Sequence, residues 1–256
     1  MSLMADKNIL FVVEGENDET SFISTIFKVC YKNQNYCFYK YKTNIHVLAK
    51  KIEEEYPDFD ESDEFDIRLV LRSLGNEDVL SRKYTDIYLI FDFDPQHSDP
   101  QFEMVKRMML YFNESYDKGK IFINYPMIQS YKHFSKLPDQ NFKNKIVSDA
   151  DFYHYKELVN EESNFKQLSK YDYFTIYSLA AHHLKKANYI INDTYSIPDK
   201  ISYLDWDFSN ILEKQILSFC DNQFVYVLNT SIFILIDYAP DAFFRQIKEN
   251  RDNFFI

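Results

Sequence analysis

The segment NILFVVEGENDE, residues 8–19, indicates the fold of this chain. A short apolar run ends abruptly in a group of carboxylates, and DIYLIFDFD, residues 86–94, repeats that arrangement. A continuous apolar run of this length is typical of a strand that is buried on both faces. Two such strands, each with acidic residues at its carboxyl end, predict one shared site if the fold makes the strands neighbours.

Strand and helix patterns alternate along the first half of the chain. Strands are also predicted at residues 35–41 and 120–125, and amphipathic helices at 17–30 and 44–56, the second capped by Asn44. This alternation predicts an α/β fold with a parallel-rich sheet flanked by helices. We expect residues 1–140 to form that domain, with residues 44–84 as a helical connection. Residues 141–256 are expected to form a mainly helical C-terminal subdomain.

Charge and composition exclude some classes of protein. The 256 residues carry a formal net charge of −11, which argues against a protein that coats DNA, since nonspecific affinity for nucleic acid comes from neutralising phosphates. An enzyme whose carboxylates reach phosphates through metal ions remains compatible with this charge. No run approaches the roughly 18 apolar residues of a membrane span. With no secretory signal and no metal-type cysteine spacing, we expect a cytoplasmic protein with no membrane partner.

The carboxylates at the two strand ends are the strongest candidates for chemistry. Glu14 ends the first strand, and Asp92 and Asp94, two residues apart, can share a face while Phe93 points into the core. Asp18 lies about one helical turn beyond Glu14. Four converging carboxylates would repel one another, and Mg²⁺, or Mn²⁺ in its place, would relieve that conflict. Acidic residues also stabilise helix N-termini, so either group alone is compatible with a structural role.

The two segments resemble the TOPRIM domain of topoisomerases, primases and OLD-family nucleases. In that family a strand ending in Glu-Gly precedes an Asp-x-Asp at the end of a later strand, and the matching residues here are Glu14-Gly15 and Asp92-Phe93-Asp94. VEGENDE is similar to the nuclease branch linked to phage defence, the OLD and RloB-like proteins. The resemblance covers about residues 7 to 130.

The resemblance implies roles for these residues. Glu14 is expected to be the general acid/base or a ligand to a metal-bound water, and Asp92 and Asp94 are expected to bind Mg²⁺ with Asp18 as an auxiliary ligand. The implied reaction is phosphodiester hydrolysis on DNA or RNA with one or two metal ions. Gly15 would allow the backbone to approach a ligand closely.

One position departs from the pattern of the nuclease branch. Relatives tend to carry Pro-x-x-Glu after the next strand, whereas this chain has Pro-Met-Ile-Gln, ending at Gln129. Gln129 and the nearby Lys132 are candidate catalytic residues, and Lys132 and His133 are candidates to bind a phosphate or orient a water. Lys185 and Lys186, in HHLKK, are candidates to contact a nucleic-acid backbone. The alternative for each is an ordinary helix surface.

The leading hypothesis is a Mg²⁺-dependent nuclease of TOPRIM/OLD type with a role in phage defence. A second hypothesis is a non-catalytic TOPRIM-like interaction module of a defence system. A third is a glycosyltransferase whose Asp-x-Asp holds a metal on a nucleotide sugar, although this leaves VEGENDE unexplained. The chain has no Walker A motif, so an ATPase or another defence-system protein is an expected partner, together with nucleic acid and a second copy of the chain.

Overall fold

A computed structural model describes residues 7–15, 17–31, 35–61, 63–72 and 77–250, which adopt an α/β fold. The strands are β1 (Asn8–Val13), β2 (Asn35–Lys40), β3 (Asp86–Asp92), β4 (Asn113–Glu114), β5 (Gly119–Asn124), β6 (Ile146–Ser148) and β7 (Phe224–Tyr226). The helices are α1 (Asp18–Cys30), α2 (Ile45–Glu55), α3 (Ile67–Arg72), α4 (Glu77–Leu80), α5 (Phe102–Tyr111), α6 (Tyr155–Glu162), α7 (Tyr173–Asn192), α8 (Lys200–Leu204), α9 (Ser209–Asn222), α10 (Ile234–Tyr238) and α11 (Pro240–Glu249).

The main sheet is mostly parallel. Its strand order is β2-β1-β3-β5-β4, in which β2, β1, β3 and β5 are parallel and the short β4 is antiparallel to β5. β1 and β3 are hydrogen-bonded neighbours, with Val13 opposite Ile90. The carboxyl ends of the two strands identified in the sequence therefore meet at one edge of the sheet.

The core explains why β1 is apolar throughout. Residues 9–13 are fully buried, so both faces of the sheet are covered. An aromatic row crosses the parallel strands: the Phe11 ring lies 5.5 Å from Phe38 and 5.5 Å from Tyr88, and Tyr88 stacks on Phe122 at 6.1 Å between ring centroids. Phe27 of α1 meets Phe11 edge-on at 5.6 Å. This packing fixes the strand ends that carry the carboxylates.

The C-terminal part packs directly on β5. Tyr125 and Leu228 exchange two backbone hydrogen bonds of 2.7 and 2.8 Å, and the Thr230 hydroxyl donates to the carbonyl of Ile123 at 2.7 Å. The backbone N–H of Ser231 donates to the side-chain oxygen of Asn124 at 3.2 Å. The segment 228–231 is therefore joined by hydrogen bonds to the strand next to β3.

The C-terminal part, expected to be mainly helical, also contains the short strands β6 and β7, which pair antiparallel. The Gln215 side chain both donates to the Tyr226 carbonyl and accepts its N–H at 2.9 Å. The segment TSIFILIDY, residues 230–238, forms a 3₁₀ turn followed by α10. Within the described ranges, none of the helices combines the length and apolar character that crossing a bilayer requires.

Candidate functional site

Glu14 and Asp92 form the centre of the site. The backbone N–H of Glu14 continues the β1–β3 pairing to the carbonyl of Ile90 at 3.1 Å. The Glu14 side chain then turns across to β3, where its Oε2 accepts the backbone N–H of Asp92 at 3.0 Å. The structure thus brings these two predicted residues together at the adjacent ends of parallel strands.

Glu19 is a third member that the sequence reasoning missed. It lies in the first turn of α1, is only 5% exposed, and interacts electrostatically with Glu14 and Asp92. A Cβ added at Gly15 would lie 2.7 Å from Glu19 Oε2, so the close approach that glycine permits is made by this side chain. Glu19 precedes Phe22 and Ile23 by three and four residues, which places it on the buried stripe of α1 and is the signal that could have identified it.

Burial raises the pKa values of all three carboxyls, and repulsion from neighbouring carboxylates adds to each shift. Burial, with smaller contributions from Glu19 and Asp94, raises the pKa of Glu14 to about 8. Burial, and then the nearby Glu14 and Glu19, hold the pKa of Asp92 well above its usual range, although Asn124 Nδ2 at 3.4 Å opposes this shift. The pKa of Glu19 is also raised, chiefly by burial. At neutral pH these carboxyls therefore retain protons between them.

Asp94 lies at the rim of this cluster and is held by α2. β3 ends at Asp92, and Asp94 adopts a left-handed conformation with φ of 40°, while Phe93 is buried as expected. The Asn44 amide donates to Asp94 Oδ2 at 3.1 Å while its oxygen caps α2. His46 Nε2 lies 3.1 Å from the Asp94 carbonyl, and His46 Nδ1 accepts a backbone N–H, so the imidazole is a neutral donor at Nε2. These contacts stabilise an otherwise unfavourable backbone.

Asp18 is held away from the Glu14–Asp92 pair by two other side chains. Its Oδ2 accepts from Gln129 Nε2 at 2.6 Å and from Lys156 Nζ at 2.9 Å. Gln129 is buried, and its own Oε1 has no hydrogen-bond partner in the described structure. Asp18, the predicted auxiliary metal ligand, therefore accepts hydrogen bonds from an amide and an ammonium group. Lys156 also belongs to the site, although sequence reasoning did not identify it.

An open cavity of about 360 Å³ adjoins these groups. Its lining includes Asp18, Glu19, Asp92, Gln129 and Lys156. The cavity therefore combines carboxylates with a lysine amine and a primary amide, and the amine and the amide both donate to Asp18. An anionic group that bound to the amine would lie in the same cavity as Glu19 and Asp92.

Lys132 and His133 differ in accessibility. Lys132 is half-buried and has no carboxylate partner among the described residues. His133 is buried, and its ring nitrogens lie 3.0 Å from the Tyr155 hydroxyl and 3.0 Å from Glu162 Oε2. Burial lowers the pKa of His133 to about 4, so it is neutral at pH 7. His133 is therefore a structural residue in this conformation, which corrects its assignment as a nucleic-acid contact.

Lys186 also requires correction. It is fully buried, and its amine donates to the carbonyl of Phe142 at 2.9 Å and to the carbonyl of Lys145. The amine fixes a loop in the core and has no access to an external phosphate. Lys185 is half-buried, with its amine 4.6 Å from the centre of the Tyr195 ring. The adjacent lysines of HHLKK therefore do not form a joint binding surface.

The carboxylate oxygens of the site are suitable ligands for a hard divalent cation. Their arrangement in this structure is not that of a coordination sphere. Within the described part of the chain, no three His, Cys, Asp or Glu side chains stand as a group that could hold a metal ion. Glu14, Glu19 and Asp92 nevertheless supply the carboxylate oxygens that Mg²⁺ prefers. Their pKa values are raised chiefly by burial, and a cation would also relieve the repulsion that adds to the shifts of Glu14 and Asp92. Binding would require loss of protons and rotation of side chains, beginning with Glu14.

In comparisons with known proteins, no family model, no curated protein and no solved structure matches this chain. The resemblance to the TOPRIM domain therefore stays a prediction, based on its two motifs. The geometry of Glu14, Glu19 and Asp92 is an observation that does not depend on that resemblance.

Proposed function

We propose that this chain is a Mg²⁺-dependent nuclease of TOPRIM type that hydrolyses phosphodiester bonds in DNA or RNA, with a role in phage defence. The observation that carries the proposal is the convergence of Glu14 and Asp92, at the ends of two adjacent parallel strands, with Glu19 from the first turn of α1, all three with raised pKa values. Buried carboxyls that repel one another reduce the stability of a fold, and such groups cluster at functional sites.

The residues of the chain have distinct roles in this proposal. Glu14, Glu19 and Asp92 would hold the metal ion, with Asp94 at the rim. When bound, Mg²⁺ would polarise the phosphodiester and promote ionisation of the attacking water. In the metal-free protein Glu14, with a pKa of about 8, exchanges a proton near neutral pH, and it would release that proton on binding the metal ion. The amine of Lys156, which lines the same cavity and is paired with Asp18, would attract a phosphate oxygen.

Observations at Asp18 and Gln129 favour a second candidate, the non-catalytic interaction module. Gln129 replaces the expected glutamate, and Asp18 is bound by Lys156 rather than left available to a metal. The glycosyltransferase alternative receives no such support. Asp92 interacts with Glu14 and Glu19, whereas Asp94 lies at the rim with Asn44, so the two aspartates do not act as an isolated pair.

Cleavage assays test the proposal directly. End-labelled single- and double-stranded DNA and RNA are incubated with the wild type in Mg²⁺ or Mn²⁺, beside Glu14→Gln and Asp92→Asn. We expect each substitution to lower the cleavage rate by about 100-fold or more, because each removes an ionisable group from the centre of the cluster. Glu53→Gln is the matched control, since Glu53 is exposed on α2.

The outcomes separate the two candidates. Cleavage that survives Asp92→Asn at the wild-type rate would assign the activity to a contaminant and overturn the proposal. A wild type that cleaves none of the substrates in either metal would favour the interaction module.

A further inference from the structure

A groove lies where the segment after α6 runs beside Lys132. The Ser163 hydroxyl donates to the backbone carbonyl of Lys132 at 2.5 Å. The next residue, Asn164, donates its backbone N–H to the carbonyl of Phe134 at 3.1 Å. These hydrogen bonds fix one wall of the groove against the segment that follows Gln129, so the groove and the carboxylate cavity lie on connected parts of the chain.

The groove has a volume of about 350 Å³ and a basic, polar lining. Lys166 and Lys170 project from it among uncharged polar residues such as Ser163, Asn164 and Thr175. Both lysines are exposed, and within the described ranges neither forms an ion pair. No acidic residue occurs among the described residues that line the groove. Two unpaired amines therefore face one open, polar depression.

Lys132 connects the groove to the carboxylate cavity electrostatically. The groups whose charges act on its amine are Asp18, Lys156 and Lys166, and the single carboxylate among them is already bound by Lys156. Burial, and then these two lysines, lower the pKa of Lys132, while Asp18 opposes the shift. The amines of Lys156 and Lys166 each repel that of Lys132, and a polyanion bound there would remove this free-energy cost. A net charge of −11 makes such a cluster unexpected from composition alone.

We propose that Lys132, Lys166 and Lys170 form a track that binds the sugar–phosphate backbone of a nucleic-acid strand and leads it into the carboxylate cavity. This inference rests on the proposed function, because it describes the path of the same substrate. Lysine acts as a point charge towards phosphate and carries no base specificity. Tyr171 in the groove is buried, which leaves backbone contact rather than base stacking as the main interaction. Recognition along the track is independent of sequence.

The test measures binding separately from cleavage. Fluorescence anisotropy of labelled single-stranded DNA, single-stranded RNA and duplex DNA is recorded in EDTA between 50 and 200 mM salt. The variant is Lys166→Gln/Lys170→Gln, in which both substituted residues are exposed. The control is Lys214→Gln/Lys248→Gln, which makes the same change in net charge on exposed lysines of α9 and α11.

For single strands, the slope of log affinity against log salt is negative, and we expect the groove variant to make it less negative by about 1.4, since each phosphate contact contributes about 0.7 to its magnitude. The control pair should retain the wild-type slope. An equal change of slope in the groove variant and the control variant would show that the effect comes from net charge alone, and would overturn the inference. An unchanged slope in the groove variant, or no binding by the wild type in any arm, would also overturn it.

The outcomes also distinguish the inference from the proposed function. If the wild type cleaves and the groove variant binds normally, the nuclease proposal is retained and the track is rejected. If binding depends on the groove lysines but the wild type does not cleave, the track is supported and the nuclease proposal is rejected. The DNA and RNA arms identify which nucleic acid the track prefers.

Discussion

The side chain of Glu14 and the backbone of Asp92 are joined by a 3.0 Å hydrogen bond that crosses from β1 to β3. Glu14 accepts this bond whether its carboxyl is charged or protonated, so the link holds the side chain in place through its own titration. The same contact occupies an oxygen that a metal ion would need. The proton balance of this pair therefore controls both the stability of the fold and its capacity to bind a cation.

Glu14→Gln should stabilise the protein at alkaline pH. The folded-state pKa of about 8 lies above the usual value of 4.5, so between these values the folded chain holds a proton that the unfolded chain has lost. Stability therefore falls as pH rises through this window. Glutamine keeps the acceptor for the Asp92 N–H without the charge, and we expect a gain on the order of 2–3 kcal/mol at pH 8.

Urea denaturation of both proteins at pH 4 and pH 8 measures this effect. The gain should disappear at pH 4, where both states of the wild type are protonated. Glu53→Gln, at an exposed position of α2, should change stability little at either pH. An equal gain in stability at pH 4 and pH 8 would show that the effect of Glu14→Gln does not come from the charge of Glu14.

Metal binding should release protons. At pH 7 a carboxyl with a pKa of about 8 is mostly protonated, and a metal ion must displace that proton. We expect release of about one proton or more per ion bound, and an affinity that increases with pH up to about 8. Calorimetric titration of Mg²⁺ or Mn²⁺ in buffers of different ionisation enthalpy measures the number directly. Affinity that does not vary between pH 6 and pH 8 would contradict a role for Glu14 as a ligand.

Asn44→Ala should weaken both α2 and the metal site. Asn44 accepts the backbone N–H of Val47 at 3.0 Å and donates to Asp94 at 3.1 Å, so its loss removes an N-cap and releases Asp94. We expect a cost of about 1 kcal/mol in stability and several-fold weaker metal binding. Asp199→Ala removes the N-cap of α8 and provides the control. Equal metal affinities in the two variants would show that Asn44 acts on stability alone.

Gln129→Glu should make the metal-free protein less stable and more responsive to metal. The substitution replaces the amide that donates to Asp18 at 2.6 Å with a second carboxylate, which Lys156 offsets only in part. We expect a loss of about 1–2 kcal/mol at pH 8 that added Mg²⁺ reverses. Thermal denaturation with and without Mg²⁺ measures the change. Gln129→Met, which loses the hydrogen bond without adding charge, should show no greater response to Mg²⁺ than the wild type.

The strands and the central pair of the site could be read from the sequence because their signals are local. The apolar runs that end at Glu14 and Asp92 predicted β1 and β3 to within one residue. The sequence left their adjacency open as a condition for a shared site, and the direct pairing of β1 with β3 meets that condition. Asn44 was also recognisable as an N-cap, since its position directly precedes an amphipathic pattern.

The remaining site residues depend on orientation and long-range contacts. Asp18 and Glu19 are adjacent, and a helix turns about 100° between them, so the choice of which carboxylate faces the strand ends needs the phase of α1. Lys156 reaches Asp18 from a helix 138 residues further along the chain. Asp94 adopts a left-handed conformation and is contacted by Asn44 and His46, about 50 residues away in sequence, as well as by the backbone N–H of His97.

The Asn124 side chain forms hydrogen bonds both to the carboxylate cluster and to the C-terminal part. Its amide nitrogen lies 3.4 Å from Asp92 Oδ1, and its oxygen accepts the backbone N–H of Ser231 at 3.2 Å. Because one side chain serves both partners, the end of β3 and the segment 228–231 cannot open independently without losing a buried hydrogen bond. The amides of this segment should thus exchange with solvent as one cooperative unit with β5, and their exchange rates report on the state of Asp92 from outside the cavity.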